Sequence, residues 1–158
     1  MPSFVVVSTG SSSLAMAAEL SLKGFEVKLF ELEEFRTNLE PIVSEGGVEI
    51  QGAAGNGKGR LRAYFSAKEA LDRMDFVVMP STNSRYLRTL APSISEGQTI
   101  LFVGGYFHAL NFVTSATNRK LLGKITVSEF SVMPYAGVLR ESPTKFTVNA
   151  YKKVIQLA

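Results

Sequence analysis

Short apolar runs alternate with segments of helical periodicity, and this alternation constrains the fold more than any other feature of the sequence. Residues 3–8, SFVVVS, form a continuous apolar run that is typical of a strand covered on both faces. Strands are also predicted at 25–31, where apolar and polar residues partly alternate, and at 74–80 and 99–105. Strands that alternate with helices form a parallel sheet through right-handed crossovers. We therefore predict an α/β domain with an open, mostly parallel sheet and helices on both faces.

Helical spacing and turn residues predict the other elements. Leu14, Ala15, Ala18 and Leu22 recur at helical spacing, and Gly24 follows as the helix end. We expect further helices at 33–45 (broken at Pro41), 67–73, 81–90 and from about 106 to 120, and a strand at 124–130. Extra short strands are expected in a hairpin (47–51 with 59–66) and at the carboxyl terminus (144–151 and 152–158). No repeat or linker divides the chain, so residues 1–158 are predicted to form one domain.

Composition excludes several classes of function. The chain has 158 residues, no cysteine and one histidine, His108, so disulfides, zinc–thiolate sites and multi-histidine metal sites are not expected. The net charge is +3, and its scattered lysines and arginines indicate a solvated surface with no nucleic-acid partner. No apolar run approaches the roughly 20 residues that span a bilayer, and no signal peptide is evident. We expect a soluble, cytoplasmic protein with no membrane partner.

The turn STGSSS between the first strand and helix is the first candidate binding element. The dinucleotide fingerprint G-x-G-x-x-G falls on Ser8, Gly10 and Ser13, so only the middle glycine is present, the one that lets a diphosphate approach the backbone. Small serines fit the other two positions, and the helix amino terminus offers free N–H groups. The candidate phosphate-binding residues are Ser8, Thr9, Gly10, Ser11, Ser12 and Ser13. A serine-capped turn without a ligand is the alternative.

Glu31 strengthens the prediction of a Rossmann-like dinucleotide-binding domain. It lies about 20 residues beyond the turn, at the end of the second strand, where an acid accepts hydrogen bonds from the adenosine ribose. An acid there repels a 2′-phosphate, so NAD is favoured over NADP, although Arg36 lies close by. A solvated glutamate in the acidic turn ELEE is the alternative.

Two other features are weaker signals. Gly52, Gly57 and Lys58 satisfy part of a P-loop pattern, but Gly59 replaces the magnesium-binding hydroxyl residue and a strand follows, so an NTPase site is rejected. His108 follows a strand end on the ligand side, but a single histidine in a helix is more often structural. No catalytic residue is assigned.

Taken in order, the segments resemble the N-terminal NAD(P)-binding domain of the octopine/nopaline (opine) dehydrogenase family. The resemblance extends over nearly the whole chain. The segments that carry it are AMAAELSLKGFEVKLFE, NLEPIVSEGGVEIQG, DFVVMPSTNSRY, LAPSISEGQTILFVGGYFHALNF and VSEFSVMPYAGVLR.

The resemblance implies positions for the cofactor and a missing part of the enzyme. It implies that Gly10 and its neighbours contact the pyrophosphate, that Glu31 binds the adenosine ribose, that Pro80 and Ser81 flank the cofactor and that Gly104 lies near the nicotinamide. Family members carry a second, helical domain that binds substrate and supplies the catalytic histidine. No residue of this chain matches that histidine, so the chain is expected to need a separate substrate-domain chain for NAD(P)-dependent oxidoreductase activity.

Two other functions remain open from the sequence. The first is a non-enzymatic Rossmann scaffold that binds a partner or forms a homo-oligomer, because the face left without a second domain needs a cover. In the second, weaker alternative, STGSS is a hydroxyl-rich loop that binds a flavin phosphate.

Overall fold

The computed structural model describes residues 1–80, 84–115 and 119–158. The strands, in chain order, are β1 (Ser3–Val7), β2 (Glu26–Phe30), β3 (Val48–Gly52), β4 (Gly57–Gly59), β5 (Arg62–Tyr64), β6 (Phe76–Met79), β7 (Thr99–Val103), β8 (Thr126–Phe130), β9 (Tyr135–Ser142) and β10 (Lys145–Tyr151). The helices are α1 (Ser11–Leu22), α2 (Glu40–Glu45), α3 (Ala67–Leu71), α4 (Ser84–Leu90), α5 (His108–Ser115) and α6 (Arg119–Leu122). Two 3-10 helices span Glu33–Asn38 and Ala91–Ser93.

A six-stranded parallel sheet in the order β5-β2-β1-β6-β7-β8 forms the centre of the domain. The chain runs outward from β1 through β2 to β5 on one side, and from β6 through β7 to β8 on the other. The strand order therefore reverses beside β1. In open parallel sheets, ligands bind at the carboxyl ends of the strands next to such a reversal. The predicted Rossmann-like α/β class is confirmed.

The burial of the β1 valines explains why this strand is a continuous apolar run in the sequence. Val5, Val6 and Val7 are all fully buried. Val6 packs in a core with residues of α1, while Val5 and Val7 pack on the opposite face in a core with residues of α3 and α4. Successive side chains of a strand point to opposite faces, so both faces of the sheet are covered, as predicted.

A second, four-stranded sheet in the order β4-β3-β10-β9 covers the outer side of α1. Gly59 permits this close approach, because a Cβ atom there would lie 2.5 Å from the Cα atom of Ala18. A polar contact also joins the layers: the buried Glu19 carboxylate accepts hydrogen bonds from the hydroxyls of Tyr135 (2.7 Å) and Tyr151 (2.5 Å). The buried α1 is thus held between two sheets.

The pKa values of this polar contact follow from its surroundings. Burial alone would raise the pKa of Glu19, but hydrogen bonds from Lys23, Tyr151 and Tyr135 outweigh burial and hold that pKa below its usual value. Burial and the neighbouring Glu19 carboxylate raise the pKa of Tyr135 above its usual value. Glu19 is therefore kept charged and Tyr135 kept protonated, which preserves the hydrogen bond between them.

The predicted hairpin is confirmed in part. β3 and β4 pair antiparallel, with Val48 opposite Gly59. The predicted strand at 59–66 is wrong as a single strand, because β5 leaves the hairpin and pairs parallel with β2 in the large sheet. A helix broken at Pro41 was predicted, but Pro41 lies in the first turn of α2. A proline at this position leaves no helical hydrogen bond unmade.

The predicted carboxyl-terminal strands are half right. The strand at 144–151 is confirmed as β10, but the strand predicted at 152–158 is wrong: only an isolated bridge between Phe130 and Leu157 forms there. The strand that pairs antiparallel with β10 is instead β9, which includes Gly137 and directly follows Pro134. Because proline and glycine usually argue against a strand, Pro134 and Gly137 explain why β9 was not predicted from the sequence.

In the described part of the chain, no helix is long and apolar enough to cross a membrane.

Candidate functional site

The turn after β1 presents free backbone donors at the carboxyl edge of the sheet. Gly10 is the N-cap of α1, and its carbonyl accepts the first helical hydrogen bond from Leu14 N–H at 2.9 Å. The N–H groups of residues 11–13 therefore precede the helical ladder and are available to an anion. A Cβ atom at Gly10 would meet no protein atom closer than 3.8 Å. The space above Gly10 is open, as the approach of a diphosphate requires.

Ser8 and Ser13, which replace the outer glycines of the fingerprint, hydrogen-bond to each other. Their hydroxyl oxygens are 2.8 Å apart and both residues are buried. Ser8 has a φ of 79°, the left-handed conformation that a glycine supplies without strain in the usual fingerprint. The turn thus adopts at Ser8 a backbone conformation that favours glycine, and a hydrogen bond between the side chains ties Ser8 to Ser13.

Glu31 is placed at the end of β2, as predicted, but its carboxylate points into the protein. Only 1% of the residue is exposed. Its Oε2 atom accepts hydrogen bonds from the Thr9 N–H (2.9 Å) and the Thr9 hydroxyl (2.6 Å). Its Oε1 atom accepts from the Leu32 N–H (2.8 Å) and the Tyr86 hydroxyl (2.5 Å). Each oxygen therefore has both of its acceptor positions filled by the protein.

This arrangement joins three elements around one carboxylate. Thr9 belongs to the phosphate turn, Leu32 follows β2, and Tyr86 belongs to α4. Burial and the Glu31 carboxylate raise the pKa of Tyr86 above its usual value, so this phenol remains a donor. Glu31 can therefore fix the position of the turn relative to α4, whereas a ribose would have to displace one of these four donors.

A cavity of about 720 Å³, widely open to solvent, lies beside Leu32, the residue that follows Glu31. Its size lies within the roughly 300–1,000 Å³ range of small-molecule sites. The lining residues are Leu32, Glu33, Glu34, Phe65, Arg85, Arg88 and Thr89. The cavity extends from the end of β2 to α4, on the side of the turn where the adenosine half of a dinucleotide lies in the Rossmann arrangement.

The residues predicted at the nicotinamide side follow the neighbouring strands. Pro80 directly follows β6, and Gly104 directly follows β7. Gly104 has a φ of 138° and no protein atom within 4 Å of the position of a Cβ atom, so the backbone there is open to a ligand. Ser81 lies outside the described residues.

His108 begins α5 just beyond this edge. Its backbone N–H and that of Ala109 donate to the Glu129 carboxylate at 3.1 and 3.2 Å, so this helix end is already capped by an anion from β8. The His108 Nε2 atom is buried and has no hydrogen-bond partner among the described residues. No described group stands ready to exchange a proton with this ring, so a catalytic role for His108 gains no support.

Several residues of the site are not evident from the sequence pattern. Tyr86 shares the buried face of α4 with Leu90, four residues further on, and a buried tyrosine hydroxyl usually has a partner. Arg85, Arg88 and Thr89 lie on one exposed face at the i, i+3 and i+4 positions. This helical spacing, close to the end of a strand, is the sequence signal by which these three residues could have been predicted. In the described residues, no group of three or more acidic, histidine or cysteine side chains is arranged to hold a metal.

Comparison with known proteins identifies the fold only through structure. No family model and no curated protein sequence matches the chain. An octopine dehydrogenase, whose structure is described with NADH and L-arginine, superposes with a TM-score of 0.81 and 14% identity over 99% of this chain and 41% of its own. A PanE/ApbA family ketopantoate reductase from Ralstonia eutropha JMP134 superposes with a TM-score of 0.71 and 14% identity over 94% of this chain and 46% of its own.

A third similar structure is a glycerol-3-phosphate dehydrogenase from Coxiella burnetii, with a TM-score of 0.59, 19% identity and coverage of 82% of this chain and 40% of its own. The chain thus spans less than half the length of these three enzymes. The resemblance to opine dehydrogenases is confirmed in the fold: these residues share the architecture of about two fifths of the octopine dehydrogenase chain.

Proposed function

We propose that this chain is the dinucleotide-binding part of an NAD(P)-dependent oxidoreductase of the opine dehydrogenase type. The observation that carries the proposal is the open space above Gly10. The N–H groups of residues 11–13 begin α1 there, at the carboxyl edge of the sheet. This part of the edge lies beside β1, where the strand order reverses. The helix amino terminus and the small serine side chains suit a diphosphate in both charge and size. A nicotinamide dinucleotide bound there would supply hydride transfer.

The chain's own residues would bind and orient the cofactor. Ser8 and Ser13 hold the shape of the turn, the amides of residues 11–13 meet the diphosphate, and Glu31 fixes the turn relative to α4. The openness of the backbone at Gly104 supports a place for the nicotinamide. We further propose that the substrate-binding part is supplied from outside these 158 residues, by a separate chain or by a further domain, since the similar enzymes are more than twice as long.

Nicotinamide fluorescence during titration with NADH and NADPH tests the proposal. The protein should bind at least one of the two, and Gly10→Val should lower that affinity by at least about tenfold, because its side chain would occupy the approach of the diphosphate. Gly123→Val is the matched control, since a Cβ atom there meets nothing within 4 Å, so the site is at least as open as Gly10, but it lies away from the turn. Failure to bind either cofactor, or equal losses in the two variants, would contradict the proposal. Binding of FMN in place of both would favour the flavin alternative.

An exposed apolar surface supports a second candidate function, self-association on a Rossmann scaffold. Tyr106 and Phe107 are 74% and 75% exposed, and Leu110 and Val113 continue the same surface along α5. Large apolar side chains gathered on a surface favour association. Light scattering tests this candidate: Leu110→Asp should convert an oligomer to a monomer, whereas a monomeric wild-type protein would exclude homo-oligomer formation.

A further inference from the structure

Four charged residues line the cavity, Glu33, Glu34, Arg85 and Arg88, and only Arg88 among them forms no ion pair with a described carboxylate. Glu34 is paired with Arg85, and Glu33 is paired with Arg36 at 2.6 Å. Arg88 is exposed, and no described carboxylate lies within 4.0 Å of its guanidinium. After these pairs are formed, the cavity retains the positive charge of Arg88. An anionic group of a ligand would therefore be favoured in this cavity.

The position of Arg88 is fixed by the packing of α4. Tyr86 and Leu90 lie on the buried side of this helix, and the Tyr86 hydroxyl binds the Glu31 carboxylate at 2.5 Å. Arg85, Arg88 and Thr89 occupy the opposite side, toward the cavity. Arg88 and Thr89 thus line the cavity together with Leu32, which follows β2. The Arg88 guanidinium provides several N–H donors for phosphate oxygens, whereas the Thr89 hydroxyl donates to the Arg85 carbonyl at 3.0 Å.

Glu31 does not oppose an anion in this cavity as an exposed acid would. Its carboxylate is 1% exposed and faces Thr9, Leu32 and Tyr86, which together give it four hydrogen bonds. These donors stabilise the negative charge within the protein. The acid that favours NAD when it binds the ribose hydroxyls is therefore engaged elsewhere, and the preference for NAD drawn from the sequence loses its physical basis.

We propose that this cavity binds the 2′-phosphorylated ribose of NADP(H), and that Arg88 is the residue that selects NADP(H) over NAD(H). The inference rests on the proposed function, because it assumes that a dinucleotide binds at the turn. The 2′-phosphate is the chemical difference between the two cofactors, and it carries negative charge that can pair with the Arg88 guanidinium. Arg88 provides the fork of N–H donors that suits phosphate oxygens.

Parallel titrations of the wild-type protein with NADPH and NADH, followed by nicotinamide fluorescence, test the inference. NADPH should bind at least about tenfold more tightly than NADH. Arg88→Gln should lower the affinity for NADPH by about 10- to 100-fold, as expected for one charged hydrogen-bonding group, and change that for NADH by less than about twofold. Arg73→Gln is the matched control, because the Arg73 side chain is 92% exposed and lies outside the cavity. It should change neither affinity.

Titration calorimetry with 2′,5′-ADP and 5′-ADP separates the 2′-phosphate from the nicotinamide. The 2′-phosphorylated compound should bind more tightly to the wild-type protein, and Arg88→Gln should remove that difference. Equal or tighter binding of NADH than of NADPH would overturn the inference while leaving the proposed function in place. An equal loss of both affinities in Arg88→Gln would also overturn it. Absence of binding of both dinucleotides would overturn the proposed function itself.

Discussion

Replacing the buried carboxylate of Glu31 with an amide should destabilise the protein by about 2–4 kcal/mol. Each carboxylate oxygen accepts a backbone N–H, from Thr9 on one side and from Leu32 on the other. A glutamine side chain has one acceptor oxygen, so either orientation turns its NH₂ group toward a backbone N–H. Leaving that buried donor unpaired costs about 1–3 kcal/mol, and the remaining hydrogen bonds lose their charge, which costs about 1 kcal/mol more. The hydroxyls of Thr9 and Tyr86 can rotate to accept, but the amides cannot.

Urea denaturation followed by circular dichroism measures this effect on Glu31→Gln. A loss of about 3 kcal/mol in a domain of this size corresponds to a fall in Tm of about 6–12 °C. Glu33→Gln is the control two residues away, because Glu33 is exposed and its pairing with Arg36 is a surface ion pair. An unfolding free energy for Glu31→Gln within about 0.5 kcal/mol of the wild-type value would refute the reasoning. It would mean that the carboxylate faces solvent and is free to bind a ribose.

Two further predictions concern buried polar groups. Because hydrogen bonds hold the pKa of Glu19 below its usual value of 4.5, its contribution to stability is present above that pH and is lost as the pH falls through the lower folded value. The unfolding free energy should therefore fall more steeply in the wild-type protein than in Glu19→Gln below about pH 4.5; parallel curves would contradict this. Ser13→Ala should cost about 1–2 kcal/mol by leaving the buried Ser8 hydroxyl unpaired, but less than about 0.5 kcal/mol in a Ser8→Gly background. Equal costs in both backgrounds would show that the two hydroxyls do not interact.

The central sheet was predictable because local pattern and burial agree there. The β1 valines are apolar at every position and are buried on both faces, so the sequence carried the signal for a central strand. Gly24, with a φ of 87°, ends α1 through the conformation that favours glycine, as predicted. The turn after β1 was also predictable, because its position depends only on neighbouring residues: it joins a buried strand directly to a helix.

The second sheet and the direction of the Glu31 side chain depend on distant parts of the chain. β5 leaves the hairpin because β2 offers a free edge, and β9 forms because β10 lies beside it; neither strand has a strong pattern of its own. Glu31 turns inward because Tyr86, 55 residues further along the chain, supplies a buried donor. The spacing in the sequence correctly predicted that Glu31 lies at the end of β2. What its carboxylate oxygens bind depends on the packing of α4, which the sequence pattern does not show.

The backbone amides of the phosphate turn provide the most direct test that this chain binds a dinucleotide through it. An NMR titration of ¹⁵N-labelled protein with NADPH should shift the signals of residues 11–13 in a saturable way, because their N–H groups precede the helical ladder and face the proposed diphosphate. The Gly123 amide should not move, and the Thr9 amide should stay protected from exchange throughout, since Glu31 already accepts its proton. Unchanged signals for residues 11–13, with shifts confined to another part of the chain, would contradict the account.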